Sequence, residues 1–375
     1  MPGRATPAGT ARYASRFGDL PDHFRQPDRL KLGSIGMGSR PGEARGADDL
    51  GYRSALDRAV ELGVNVFDTS ISYRMQHSER CIGAGLRRAI REGKIARDEV
   101  VVVTKGGHLT LDTRLVRTRS EAERYLVSTY VDSGLVDVEG LVNGSHSLDA
   151  PFIRDQIERS RRNLGLATID VYCLEDPELH LLAKGPTQFR RLLCAAIEVL
   201  EEAVAEGTIA AYGFSTWSGL FVPYTEKGHL SVNDLFEAVL EVGGADNHLR
   251  ALTFPYSVAM GEAMGLPSQF GAGARPSGVL ETLEGTGIAL LSSTPLVRGR
   301  ATGRLPEALR RALAPARTPA QAALQFARST PGITTTLVGM RSIEHVEENL
   351  ELARHPATEP QVIQKLFEES RARED

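Results

Sequence analysis

Cysteine is scarce in this chain: three in 375 residues, Cys81, Cys173 and Cys194, with no metal-ligand spacing among them. That excludes a disulfide scaffold and a cysteine-held metal, and it fits a reducing compartment, so the expected location is the cytoplasm. A one-sided charge is missing too. The net charge of -4 leaves no electrostatic footprint for nucleic acid or an anionic membrane surface. No apolar run approaches the roughly 18–20 residues that span a bilayer. The first stretch, M-P-G-R-A-T-P-A-G-T, has no apolar core and so is not a secretory signal. Residues 1–29 are expected to form a flexible leader. Finally, no G-x-G-x-x-G follows the first apolar run, which argues against a doubly wound dinucleotide-binding sheet.

What the chain does have is ample core and a regular alternation. Hydrophobic residues make up 41% and charged residues 25%, the balance of an ordinary globular protein. From about residue 30, short β-branched or apolar runs alternate with stretches of helical periodicity closed by glycine. Expected strands are Leu30–Gly38, Val64–Asp68, Val100–Lys105, Ile169–Leu174, Ile209–Ser215, Leu249–Phe254, Ile288–Ser292 and Thr334–Val338. Expected helices include Asp48–Leu62, Ser78–Glu92, Pro151–Leu164, Gln188–Glu206, Ser231–Val242, Pro276–Glu284, Pro306–Leu313, Pro319–Arg328 and Ser342–Ala353. Eight strand-then-helix units imply parallel strands and a closed (β/α)8 TIM barrel over residues 30–355. Residues 106–150 read as a long insertion after the third strand, a natural cover for a substrate, and residues 356–375 as a surface helix and tail. Ser268–Arg275 reads as a flexible connection.

Chemistry in such a barrel sits where strands end. N-V-F-D-T-S-I-S-Y delivers Asp68 at a strand end and Tyr73 in the next loop, while V-V-V-V-T-K delivers Lys105. An ammonium beside a phenol lowers its pKa from about 10 toward neutrality, and Asp68 would hold the lysine charged and in place. Together they would make a proton donor for an oxygen receiving hydride.

At these residues, and at Ser78, Glu79 and Gly83 after the tyrosine, the chain resembles the aldo-keto reductase family. The resemblance implies NADPH-dependent reduction. It also exposes a departure: in I-D-V-Y-C-L-E-D-P, Glu175 stands where the family has a histidine that hydrogen-bonds the substrate carbonyl. A glutamate there resembles the family's steroid double-bond reductases, in which a protonated carboxyl polarises an enone. Burial and a neighbouring acid would keep Glu175 protonated, while a direct pair with Lys105 would keep it charged.

The resemblance extends to the cofactor site. Ser215 is kept, with Thr216 in place of the asparagine that reads the carboxamide. Thr253 replaces a glutamine, and Ser293 stands where an aromatic ring stacks on nicotinamide. Pro295, Leu296 and Gly299 keep the loop over the pyrophosphate. In T-T-L-V-G-M-R-S-I-E-H-V-E-E-N a strand ends at Gly339 and Ser342 can cap a helix, a ready phosphate site. As the resemblance implies, Arg341 and Ser342 would take the 2′-phosphate, and Glu348 and Asn349 would reach the adenine. His108 and His146 are the histidines that could enter the mouth, His146 foremost, and Trp217, the only tryptophan, could line the substrate cavity.

The expected function is therefore NADPH-dependent hydride transfer to a carbonyl or a conjugated C=C or C=N of a small, specialised, biosynthetic substrate. The alternatives are a catalytically silent nucleotide- or partner-binding barrel, and non-redox acid–base chemistry at Glu175 and Lys105. No metal is expected, and no nucleic-acid or membrane partner.

Overall fold

The computed structural model describes residues 1–271, 275–303 and 307–371. Eight strands close a barrel: β1 (Ile35–Gly38), β2 (Val66–Asp68), β3 (Val101–Gly106), β4 (Val171–Glu175), β5 (Tyr212–Ser215), β6 (Leu249–Pro255), β7 (Ala289–Ser293) and β8 (Thr335–Gly339). Every neighbouring pair is parallel, and β8 closes on β1 through the register Gly339–Gly38. This is the expected (β/α)8 barrel.

Strand alternation positions the site. Side chains along a strand point alternately in and out. Val66, Val103, Cys173, Ala251, Leu291 and Leu337 form one apolar cluster inside the barrel. Two residues on from Val66, Val103 and Cys173 come Asp68, Lys105 and Glu175. The polar trio is thus the top inward-facing layer above a dry floor. The outward residues Phe67, Val102 and Leu174 belong to the larger cluster under the helices. A strand buried on both faces must be apolar at almost every position, which is why V-V-V-V-T-K reads so clearly.

Residues of the leader pack on the barrel. Pro7–Ala14 is a helix whose cap Thr6 accepts a hydrogen bond from the Gly9 amide. Tyr13 is fully buried, and its hydroxyl donates to the carbonyls of Val60 and Val64 at 2.6 and 3.0 Å. Ala5 and Leu30 pack on the barrel's interior cluster from the amino-terminal side. Phe17 and Phe24 pack around the Tyr13 ring, at 5.0 and 6.1 Å between ring centres.

Other segments depart from expectation more locally. In place of a helix over Pro276–Glu284, Pro276–Ser277 pairs antiparallel with Gln269–Phe270, and only Val279–Thr282 is helical. Residues 272–274 of the Ser268–Arg275 connection, and Pro306 at the start of the expected helix Pro306–Leu313, lie outside the described residues. The insertion is structured: Arg119–Leu126 is a helix with a Thr118–Glu121 capping box. Tyr130 is buried there, 5.6 Å from the Phe152 ring. Among the described residues no helix is long and apolar enough to cross a membrane, and no cluster of His, Cys, Asp or Glu has metal-binding geometry.

Candidate active site

One cavity of about 1190 Å3 opens at the carboxyl ends of the strands. Asp68, Tyr73, Lys105 and Glu175 line it together with Ser215, Thr216, Trp217, Thr253, Ser293, Pro295, Leu296, Gly299, Gly339, Glu348 and Asn349. The structure therefore brings together sequence positions nearly the whole chain apart.

Lys105 Nζ pairs with Asp68 Oδ1 and donates to the Thr69 carbonyl at 2.8 Å. The same ammonium lies 5.0 Å from the centre of the Tyr73 ring. Burial pulls the ammonium's pKa down, but Asp68, Tyr73 and Glu175 hold it above its ordinary value. Lys105 stays charged. Tyr73 differs from expectation: burial, joined by Glu175 and Asp68, raises its phenol above the usual value, against the pull of Lys105 and Arg40. In this state the phenol keeps its proton.

Glu175 resolves the competition left open by its position. Its Oε2 accepts from Ser70 Oγ at 2.9 Å and Ser72 Oγ at 3.4 Å, while the ion pair of Lys105 goes to Asp68. Burial raises the Glu175 carboxyl above the ordinary range, with Asp176 adding to it and Lys105, His108 and the Ser70 hydrogen bond opposing. Ser70 and Ser72 stand in the D-T-S-I-S-Y run itself, and sequence reasoning passed over them. Their partner lies about a hundred residues on, visible only once β2 and β4 flank β3.

Tyr73 is held by an unusual turn. Arg74, Met75 and Gln76 all have positive φ, at 50, 51 and 72°. Three consecutive non-glycine residues in the left-handed region each carry strain. The turn is pinned by Arg74, which donates to Asp49 at 2.5 Å and to the Glu43 carbonyl at 2.8 Å. Gln76 Nε2 adds a bond to the Leu111 carbonyl at 3.0 Å. The helix His77–Arg91 follows, its Ser78 hydroxyl on the Ser39 carbonyl and its Gly83 packed so closely on Leu164 that a Cβ would meet backbone at 2.3 Å.

The histidines exchange places. His146 is buried, its Nε2 2.7 Å from the Glu175 carbonyl oxygen, and is not among the residues lining the cavity. Burial and His108 push its pKa down to about 3. His108 lines the cavity instead, its Nε2 3.0 Å from Asp176 Oδ2. The two pair in an antiparallel bridge with their rings 4.6 Å apart, His108 toward the cavity and His146 buried beside it. Among the described residues, His108 is the insertion's one contribution to the cavity wall, so the insertion does not cover the mouth as expected.

At the far end, Arg341 turns to Asp48 Oδ1 at 3.0 Å, and neither it nor Ser342 lines the cavity. Ser342 caps Ile343–Leu350 by accepting from the His345 amide. Glu348 Oε1 accepts from Thr318 Oγ1 at 2.7 Å. At the other end, Thr216 Oγ1 donates to Glu178 at 2.6 Å, which leaves its lone pairs for a ligand. Thr253 Oγ1 is buried with no hydrogen-bond partner among the described residues. A buried hydroxyl left unpaired in the wall fits a polar ligand edge.

The aldo/keto reductase family model matches residues 30–220, just over half of the chain. The chain belongs to the aldo/keto reductase family. A D-threo-aldose 1-dehydrogenase of a Pseudomonas species is 31% identical over 163 residues, a match spanning 44% of this chain and 43% of that relative. The fold also matches family members of known structure. An aldo-keto reductase from Bacillus halodurans in its holo form superposes with a TM-score of 0.59 at 21% identity, over 92% of this chain and 95% of that one. An aldo/keto reductase from Klebsiella pneumoniae, solved with NADP and acetate, gives 0.58 at 20% identity, over 93% and 95%. This member of the family sets Asp68, Tyr73, Lys105 and Glu175 in one cavity.

Proposed function

We propose that the protein is an NADPH-dependent oxidoreductase whose substrate is a small molecule with a carbonyl, or a conjugated C=C or C=N, that Glu175 can polarise. The observation that carries this reading is the grouping of Tyr73, charged Lys105 and a hydroxyl-bonded Glu175 in one cavity large enough for a dinucleotide and a substrate. Thr216 and Thr253 would meet the carboxamide, Ser215 and Ser293 the nicotinamide ring, and Pro295, Leu296 and Gly299 the pyrophosphate. Gly339, Glu348 and Asn349 would flank the adenosine, with Arg341 and Ser342 just beyond the wall. When bound, NADPH supplies the hydride that, with a proton from Tyr73, converts a carbonyl to an alcohol.

The chain's own residues do the rest. Tyr73 donates the proton, and Lys105 stabilises the phenolate left behind. Asp68 positions Lys105. Glu175 in the neutral form, toward which burial pushes it, would donate a hydrogen bond to the acceptor oxygen, as an ionised carboxylate cannot. Acid–base chemistry by a Glu175–Lys105 couple has less support, because the lysine is committed to Asp68.

The test is Tyr73→Phe. Loss of NADPH near-ultraviolet absorbance with a carbonyl and enone panel should fall at least about a thousandfold, within the range for a general acid, while NADPH affinity stays nearly unchanged. Retained turnover refutes the assignment.

A further inference from the structure

Most cations around the reacting groups are already matched by an acid. Lys105 is taken by Asp68, Arg74 by Asp49, and His108 by Asp176. Arg40 is different. It follows β1, lines the cavity, and its guanidinium carbon sits 5.8 Å from the centre of the Tyr73 ring. Among the described residues no acid pairs with it. It is exposed at the edge of the cavity, and its charge reaches Tyr73, Asp68 and His108.

A guanidinium stays charged throughout the physiological range and presents a planar fork that matches a carboxylate with two parallel hydrogen bonds. Beside the phenol it faces the end of the cavity where the hydride acceptor must lie. The positions expected to hold the pyrophosphate, Pro295 to Gly299, come from the loop after β7 instead. An oxidised nicotinamide is itself cationic, so the cofactor's reacting ring cannot supply the missing negative charge. The neighbouring acids do not forbid an anion there: Asp176 is matched by His108, and the buried Glu175 is held toward its neutral form.

We infer that Arg40 binds a carboxylate carried by the substrate, so that the cavity selects oxo acids over neutral carbonyl compounds. This rests on the carbonyl-reducing function proposed above and adds the substrate's charge to it. The guanidinium would act as an anchor, fixing the distance between the anionic group and the carbon that receives hydride.

The test uses the full chain and two probes with the same aldehyde and ring, 4-carboxybenzaldehyde and its methyl ester. Calorimetric titration of the NADP-loaded protein should show the acid binding at least about tenfold more tightly than the ester. Arg40→Leu should bring the acid to the ester's level, and Arg40→Lys should recover part of the difference. In turnover the same change should appear as a raised KM for the acid with a smaller effect on kcat. Equal affinity for the two probes, or no binding of the acid, overturns the inference. So does an Arg40→Leu variant that loses NADPH affinity while keeping its preference for the acid, because Arg40 then serves the cofactor. A calorimetric preference for the acid without loss of NADPH absorbance would uphold Arg40 as an anion anchor and sink the redox reading instead.

Discussion

Glu175 takes a hydrogen bond from Ser70 at 2.9 Å and leaves Lys105 to Asp68. Two acids and one ammonium share a small space: Asp68 holds the ion pair, and serine hydroxyls hold Glu175. That division has consequences for pH, stability and cofactor choice.

The first concerns ionisation of Glu175. Its folded pKa is raised by burial above the unfolded value of about 4.3. Between those two values the folded state binds more protons than the unfolded one, so stability falls as pH rises. The contribution is fully present below the unfolded pKa and is lost as pH passes the folded one. Glu175→Gln cannot ionise, so it should raise Tm by about 2 °C at pH 8 and change little at pH 4, as read by calorimetry. The alkaline fall in kcat/KM should flatten in the same variant. A Tm change of equal size at both pH values would sink this account.

Removing the hydroxyl should move that limb. The Ser70 hydrogen bond favours the charged carboxylate, so Ser70→Ala should shift the alkaline limb of kcat/KM upward by about 0.7 pH unit, since one hydrogen bond is worth about 1 kcal/mol. A limb that stays in place or moves down would mean another group governs it. Glu175→His should increase reduction of simple aldehydes relative to the native chain. If that folded variant gains nothing, Glu175 does not limit carbonyl chemistry.

The role proposed for Arg341 at the 2′-phosphate can be tested through its pair with Asp48. Their 3.0 Å pair means that a phosphate must compete with Asp48 for the guanidinium. Arg341→Ala should weaken NADPH about tenfold and leave NADH nearly unchanged, read by fluorescence titration. Asp48→Asn should tighten NADPH a few-fold by releasing Arg341. If both variants move NADPH and NADH equally, the pair has no part in discriminating the phosphate.

The packed amino-terminal segment can be tested through Tyr13. Tyr13→Ala removes a fully buried ring and two carbonyl hydrogen bonds, and should cost about 3–4 kcal/mol in denaturant unfolding. An unchanged midpoint would mean that the segment is detached in solution.

How much of this was legible in the chain follows from where the information lies. The strand Val101–Gly106 and the glycine-closed helices are local statements of periodicity, and they read well. Asp68, Tyr73 and Lys105 could be placed because a strand end is a local landmark. Arg40, Ser70 and Ser72 were missed because each acquires meaning only from a partner distant in sequence. The placing of His108 and His146 has the same origin: the two meet across an antiparallel bridge between residues distant in sequence, and packing around that bridge decides which ring reaches the cavity. The packing of the leader is hard to read because Tyr13, Phe17 and Phe24, which cluster in the fold, are scattered among small and polar residues in the sequence. The raised pKa of Tyr73 is a burial effect, and burial is a property of the closed barrel.

The left-handed turn over Arg74, Met75 and Gln76 sets the maintenance of the phenol against the robustness of the chain. Met75 is 38% exposed, and a glycine there would relax its backbone at little packing loss, about 1 kcal/mol in favour of the fold. The same relaxation would slacken the clasp that aims the neighbouring hydroxyl. Variants selected only for heat resistance should therefore accumulate in this turn and arrive sturdier but slower.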